Sequence, residues 1–420
     1  MELTNLYSSG YKKLNKHLLY TLWNNVGYTT SNINCKEALL VKFHSVNSRL
    51  YNNYLVLGIE TSCDDTGIAI LDSQGKVLSH VKRNYWETLR ENWGGINPVK
   101  AKIMHENHIH NLLKECLAQA GVCLKDIDVV GVTQGPGLGA CLGVGLALAK
   151  EIVKEDSNKL LMGVHHLEAH LLTSRLTDFI EFPFIALLVS GGNCQLILAS
   201  DVGDYSMLGY TLDSAPGDVF DKVARAMNLS NGAELEQLAK SSTESLQGPK
   251  ILGTYRNCHF SFAGLRSWAS GCLEDFGPAV TEIQKANVAA AFQEAVINHL
   301  MIRLARAINY CDFYRRTPIK SVVLSGGVAS NESIRVNIAK LCRIYNKTFF
   351  VPPKELCTDN GVMIAWTTIE RIRFNKFDKL NEEQIQKLQY RIDWPLGADE
   401  SEFVEKCKIR IRTRTFEHSK

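Results

Sequence analysis

The sequence predicts an α/β protein on three observations. Short apolar runs recur along the chain, each ending in a glycine-rich or polar turn, as buried strands do. Several of these turns lead into helical patterns, the alternation that builds α/β layers. Two runs, Phe184 to Val189 and Ser321 to Leu324, both deliver Ser-Gly-Gly, at Ser190 and at Ser325, 135 residues further on; the pair reads as an internal duplication.

The elements follow in order. Tyr54 to Glu60 is an apolar run read as a buried strand, and Ile68 to Leu71 returns as a second. The turn between them carries Asp64, Asp65 and Gly67. It is either a plain hairpin tip or a phosphate or metal-phosphate loop. Gly94 to Leu113 turns helical after Pro98 and holds His105, His108 and His110. The i, i+3 pair His105/His108 is a lesser metal half-site or part of a solvated face. Asp128 to Thr133 is another strand. Gln134-Gly-Pro-Gly-Leu-Gly139 then opens a long apolar helix, the pattern of a generic anion site. It is not the dinucleotide fingerprint, because no second strand with an acid follows at about 20 residues.

Further on, Asp213 or Ser214 is a candidate cap for the helix after Pro216, and Val288 to Ala307 is a long helical pattern. Asp359 precedes the apolar helix Val362 to Ile369, as an N-cap or as a carboxylate ligand in a cleft. In the tail, Lys408, Arg410, Arg412 and Arg414 share one face if the segment is a strand. That face is a phosphate-binding stripe or a charged edge.

Composition narrows the class. A chain of 420 residues holds two or three domains. Its charged fraction is ordinary, and its net charge of +3 permits a polyanionic partner without demanding one. The twelve cysteines show no pairing motif, as in a reducing compartment. No run approaches the ~20 apolar residues of a membrane span, so no membrane insertion is expected. Residues 1–53 carry six Lys and Arg (Lys12, Lys13, Lys16, Lys36, Lys42 and Arg49) against two acids, Glu2 and Glu37. They read as a mitochondrial-type transit peptide or as a plain extension.

The stretch Val164-His165-His166-Leu167-Glu168-Ala169-His170 carries the sharpest chemical signal. His166 and His170 lie one helical turn apart on the same face, half of a metal site. A zinc-protease helix needs its glutamate directly after the first histidine; Leu167 stands there, and Glu168 is about 100° further round. A zinc finger needs an upstream C-x-x-C pair, and there is none. Metal ligation and ordinary hydrogen bonding at a helix start both remain open on this stretch alone.

Taken together, LGIETSCDDTGIAI (57–70), QGPGLGACLGVG (134–145), VHHLEAHL (164–171), LLVSGG (187–192), APGDVFDKVAR (215–225), FSFAGLRS (260–267), LSGGVASN (324–331), CTDNGVMIAW (357–366) and WPL (394–396) resemble the TsaD family of tRNA threonylcarbamoyl transferases. The resemblance runs from about Tyr54 to Leu396, and the N-terminal extension makes it similar to the mitochondrial branch. It implies two similar α/β lobes of the actin, hexokinase and heat-shock-protein type, with the active site in the cleft. The implied boundaries are 54–182, 183–396 and a basic tail at 397–420.

The resemblance also implies a site. One divalent metal, iron or zinc, is held by His166, His170 and Asp359. Threonylcarbamoyl-AMP, the substrate, sits on Leu188, Val189, Ser190, Gly191 and Gly192 and contacts Asp221, Gly232 and Asn331. Asp64 faces the same cleft as the candidate for handling the attacking amine. The implied partners are tRNA, a separate threonylcarbamoyl-adenylate synthase and a second copy in a homodimer. The chain departs from the family pattern at Asn193-Cys194, where the family writes His-Thr, and at Ser230-Asn231-Gly232-Ala233, a shortened loop. Two rival readings are a kinase or ATPase on the same fold and a non-enzymatic tRNA-binding protein.

Overall fold

The computed structural model describes residues 53–244, 246–249 and 256–411. The extension before Asn53, with its transit-peptide reading, and Arg412 and Arg414 of the tail lie outside the described residues. The first sheet holds β1 (Leu55–Glu60), β2 (Asp65–Asp72), β3 (Val77–Asn84), β4 (Val129–Gly135) and β5 (Leu160–His165), in the order β3-β2-β1-β4-β5. The second holds β6 (Phe184–Val189), β7 (Cys194–Asp201), β8 (Asp204–Tyr210), β9 (Ser321–Ser325), β10 (Thr348–Phe350) and β11 (Ala398–Asp399), in the order β10-β9-β6-β7-β8-β11.

The two sheets are one design used twice. β1, β2 and β3 form antiparallel pairs, and β1, β4 and β5 run parallel. β6, β7 and β8 are likewise antiparallel, and β6, β9 and β10 parallel. The duplication is real, but it is not the one the Ser-Gly-Gly pair suggests. β6 and β9 are neighbours in the same sheet, with Leu188 opposite Ser325. The counterpart of β6 is β1, and that of β9 is β4. Central strands in such sheets are covered on both faces and so read as unbroken apolar runs, which is why these four are the plainest in the sequence.

The helices that matter to the site are α1 (Pro98–Ala120), α2 (Gly139–Glu155), α3 (His166–Leu172), α4 (Pro216–Ala226), α5 (Gly232–Ala239), α6 (Glu282–Asn309), α7 (Glu332–Ile344) and α8 (Gly361–Arg373). Leu57 and Ile59 share a core with Ile109 and Leu112 of α1 and with Val144 and Leu148 of α2. Gly58 points to the other face, where α8 lies so close that a Cβ on Gly58 would sit 2.5 Å from Ala365 N. Met363 and Ile364 of α8 pack on Met162 and Val164 of β5.

This packing corrects the expected boundary at residue 396. The sheet needs cover on its second face, and α8 supplies it, so the chain returns to the first lobe. Ile385 stays in that lobe's core, and Arg391 N donates to Gln134 O at 2.8 Å. The chain then crosses again: β11 pairs with β8, and Val404 and Ile409 join the second core. The expected tail from 397 therefore begins as part of the second lobe. Lys408 takes a left-handed turn (φ 49°) and residues 408–411 form no strand, so Lys408 and Arg410 do not belong to a paired edge. Among the described residues no helix is long and apolar enough to cross a membrane.

Candidate metal and nucleotide site

A cleft of about 710 Å³ is lined from the first lobe by Ser62, Asp64 and His166 and from the second by Ser190, Gly191, Gly192, Asp221, Gly232 and Asn331, with Asp359 between them. The loops that line it follow strand ends, where open α/β sheets place their ligands.

The histidine stretch resolves into three different jobs. His165 ends β5 and caps α3: its Nδ1 accepts from Leu167 N at 3.1 Å, and its Nε2 donates to Trp394 O at 2.8 Å. Burial holds it near a pKa of about 3, hence neutral. His166 and His170 face one carboxylate. His170 Nε2 lies 3.0 Å from Asp359 Oδ1 and His166 Nε2 3.6 Å from it. One donor atom from each of the three residues falls within 4.8 Å of the others.

Asp359 is free for this role because it is not the helix cap. Asn360 is, accepting from Met363 N at 2.9 Å. The second acid of the neighbourhood is Glu60, at the end of β1. Its Oε2 lies 3.2 Å from His166 Nδ1, and its Oε1 accepts from Ser62 N at 2.6 Å. Burial would raise Glu60, but the His166 imidazole lowers it below its ordinary value. Burial would equally lower His166, yet the Glu60 and Asp359 carboxylates push it up to about 9. The two imidazoles hold Asp359 low against its own burial.

Two carboxylates face His166 and His170 in a buried cup, an arrangement that suits a cation in place of the proton that they favour on His166. Two nitrogens and one oxygen are the three-ligand set of an open catalytic metal site, so the residues fit the metal that the family resemblance implies. The His105 pair does not compete: His105 Nδ1 is 2.6 Å from Thr66 Oγ1 and its Nε2 2.9 Å from Cys63 O, a satisfied core histidine.

Asp64 lines the cleft, and burial, then the Asp359 charge, raises its carboxyl. Its neighbour Asp65 is raised to about 7 by burial, although Lys82 Nζ stands 3.0 Å away and lowers it.

In the second lobe the chain turns at Ser190: Ser190 N donates to Asn193 O at 2.8 Å, and Asn193 N donates to Ser190 Oγ at 3.0 Å. A Cβ added at Gly191 or Gly192 would meet no atom within 4 Å. Both glycines thus present bare backbone to the cleft, the arrangement that suits an anion. Leu188 and Val189 do not join them: both side chains are buried, Val189 in the second core. Asp221 Oδ1 accepts from Gly232 N at 2.8 Å. Asn331 caps α7, with its oxygen taken by Ile334 N and its amide by Gln293 Oε1. It lines the wall, with one of its two amide hydrogens already committed.

Other expectations need correction. Ala215, not Asp213 or Ser214, is the N-cap of α4; Asp213 instead accepts from Ser261 Oγ and from Phe262 N at 2.8 Å. The glycines of the 134–139 loop serve packing, since a Cβ on Gly137 would lie 2.7 Å from Ser62 O and one on Gly135 would strike the Arg391 carbonyl. Two buried acids were missed. Glu60 reads as an ordinary strand end; the available signal was a charge closing an otherwise apolar run. Glu236 lines the cleft and accepts from Glu332 N at 2.9 Å.

The fold and the cleft define a two-lobed protein of the actin and hexokinase class with a His-His-Asp centre. The chain belongs to the TsaD family: the family model described as tRNA N6-adenosine threonylcarbamoyltransferase matches residues 76–366. It is 38% identical over 377 residues to the mitochondrial tRNA N6-adenosine threonylcarbamoyltransferase of Xenopus tropicalis, covering 85% of this chain and 92% of that one. The human mitochondrial protein of the same name is 38% identical over 382 residues, covering 86% and 91%. A solved structure of full-length HypF in its phosphate- and nucleotide-bound form shares the fold, with a TM-score of 0.50 at 14% identity over 78% of this chain and 56% of that chain.

Proposed function

We propose that this protein is the mitochondrial tRNA N6-adenosine threonylcarbamoyltransferase of its source, and that the cleft is where transfer occurs. The convergence of His166 and His170 on Asp359, in a cleft that an open glycine loop also lines, carries this reading. In the reaction the N6 amine of the adenosine 3′ to the anticodon attacks the carbonyl carbon of threonylcarbamoyl-AMP. The new C–N bond replaces the bond to the phosphate oxygen, AMP leaves, and the amine loses a proton.

The residues divide this work. Gly191 and Gly192 offer backbone N–H groups to the adenylate phosphate. Asp221 and Gly232 close the nucleoside end. Asp64 takes the amine proton. His166, His170 and Asp359 hold one metal, for which imidazole and carboxylate suit iron or zinc. When bound, that metal supplies Lewis-acid polarisation of the acyl donor. A separate synthase supplies the adenylate, and a second copy completes a homodimer. The kinase or ATPase alternative is disfavoured by the imidazoles, since magnesium takes oxygen ligands and water.

The test uses His166→Ala and His170→Ala with pre-formed adenylate, which removes the partner synthase from the assay. Both variants are expected to lose metal and transfer. The control His110→Ala, on an exposed turn of α1, keeps both. The measurements are metal per chain and modified adenosine per tRNA. Variants that lose metal but still modify tRNA would overturn the catalytic assignment.

A further inference from the structure

We propose that Glu60 is a positioning residue for the centre: its carboxylate fixes His166 in the tautomer with the proton on Nδ1, leaving Nε2 bare toward Asp359 and the metal. The proposal rests on the metal reading above and deepens it.

Glu60 is fully buried in β1, the middle strand of the first sheet. A carboxylate there is costly unless every lone pair facing protein finds a donor. Three donors meet it. Ser62 N reaches Oε1 at 2.6 Å, while Thr133 Oγ1 at 2.5 Å and His166 Nδ1 at 3.2 Å share Oε2. An ionised carboxylate only accepts, so the nitrogen facing it must carry the hydrogen. Protonating one imidazole nitrogen of a neutral ring leaves the other as the lone-pair donor. Here that other nitrogen is Nε2, which points at Asp359.

Glu60 is not itself a ligand. It touches the side of the ring opposite to Nε2, and the clustered ligand atoms are those of His166, His170 and Asp359. The two imidazoles are also held differently. His170 Nδ1 is buried with no hydrogen-bond partner among the described residues; that residue is tethered through its backbone, where Ser325 Oγ donates to His170 O at 2.7 Å. Glu60 therefore acts on one ligand only. A purely structural role for Glu60, tying Ser62 and Thr133 together and leaving His166 Nδ1 to Ser62 Oγ, which is also 3.2 Å away, predicts no effect on metal.

The probe is zinc(II) added to the full chain. Glu60→Gln places an amide NH2 at one of the two oxygen positions. On the Oε2 side it donates to His166 Nδ1 and moves the ring hydrogen to Nε2; on the Oε1 side it opposes Ser62 N–H. Zinc affinity by chelator competition is expected to fall about tenfold or more, with the unfolding midpoint of the metal-free protein shifted far less than a structural role requires. In the zinc-loaded wild type, long-range 1H–15N spectra are expected to show His166 with Nδ1 protonated and Nε2 metal-bound. Wild-type zinc affinity in Glu60→Gln, or a metal-bound Nδ1 in the wild type, would overturn the proposal. If Glu60→Gln does not fold, the wild-type spectrum decides alone. If His166→Ala retains zinc, the metal reading itself fails; if it loses zinc while Glu60→Gln does not, only the role of Glu60 fails.

Discussion

The same turn occurs twice in this molecule, and the two copies carry opposite chemistry. After β1 the chain turns through Thr61 to Asp64 and returns as β2; after β6 it turns through Ser190 to Asn193 and returns as β7. Both turns line the one cleft. The first is charged: Glu60 precedes it, Asp64 closes it, and Asp65 opens the next strand. The second carries no charge and exposes two glycines. A duplicated backbone thus supplies two equivalent places facing one space, and residue type decides what each does there. The acidic turn works through side chains that must be sunk among donors to stay ionised. The glycine turn works by having no side chains at all.

The largest break in this comparison is expected from Asp359→Asn. Asp359 is the one carboxylate that both imidazoles of α3 share, and Asn360 already caps α8. The substitution therefore removes a ligand and leaves the helix start intact. Transfer is expected to fall about 10³-fold, the several kcal/mol of charge stabilisation at stake. Helix content and the denaturation midpoint should stay near wild type. Near-normal transfer with an altered midpoint would return Asp359 to a structural role and empty the acidic side of its chemistry.

Asp64→Asn tests the acidic turn directly. Burial first and the Asp359 charge second raise the Asp64 carboxyl above its ordinary 3.8. A base must be ionised, so activity is lost as pH falls through that raised value. The acid limb of the kcat/KM profile is expected at higher pH than an ordinary aspartate would place it. In Asp64→Asn the limb disappears and kcat/KM drops about 10²-fold, the lower end for a general base. Asp65 is the competitor, raised to about 7. If the limb vanishes in Asp65→Asn and persists in Asp64→Asn, the role moves one residue along.

Much of this was legible in the sequence, for reasons that also mark where legibility stops. β1, β4, β6 and β9 are buried on both faces, so their apolar runs announce them. β3 was not read, because as an edge strand it mixes Val77, Leu78 and Val81 with His80, Lys82 and Arg83. The i, i+4 spacing of His166 and His170 is local and survives into the structure as a pair of rings 4.8 Å apart. Asp359 lies 189 residues beyond His170, a partnership no periodicity encodes; family likeness supplied it. Glu60 was hidden by the strand that carries it. The return of α8 to the first sheet was hidden because an apolar helix face does not say which sheet it will cover.

The two Ser-Gly-Gly motifs make the finest test, since the sequence treats them as equals. Gly191 has a φ outside the left-handed range, and a Cβ on it would meet nothing within 4 Å. Gly326 sits at φ +95°, and a Cβ there would strike the Val189 carbonyl. One glycine is small for a ligand's sake and the other for the backbone's. Gly326→Ala is therefore expected to cost about 1–3 kcal/mol of stability, read as a lower denaturation midpoint. Gly191→Ala should leave the midpoint within about 0.5 kcal/mol of wild type. Its effect should appear in binding of the adenylate, weakened about tenfold, or ~1.4 kcal/mol, because the new methyl group occupies the open side of the loop. The reverse pattern, with Gly191→Ala destabilised and adenylate affinity intact, would mean that the glycine turn is a packing device like its neighbour. The contrast between a charged turn and a ligand-facing bare one would then lose its second half.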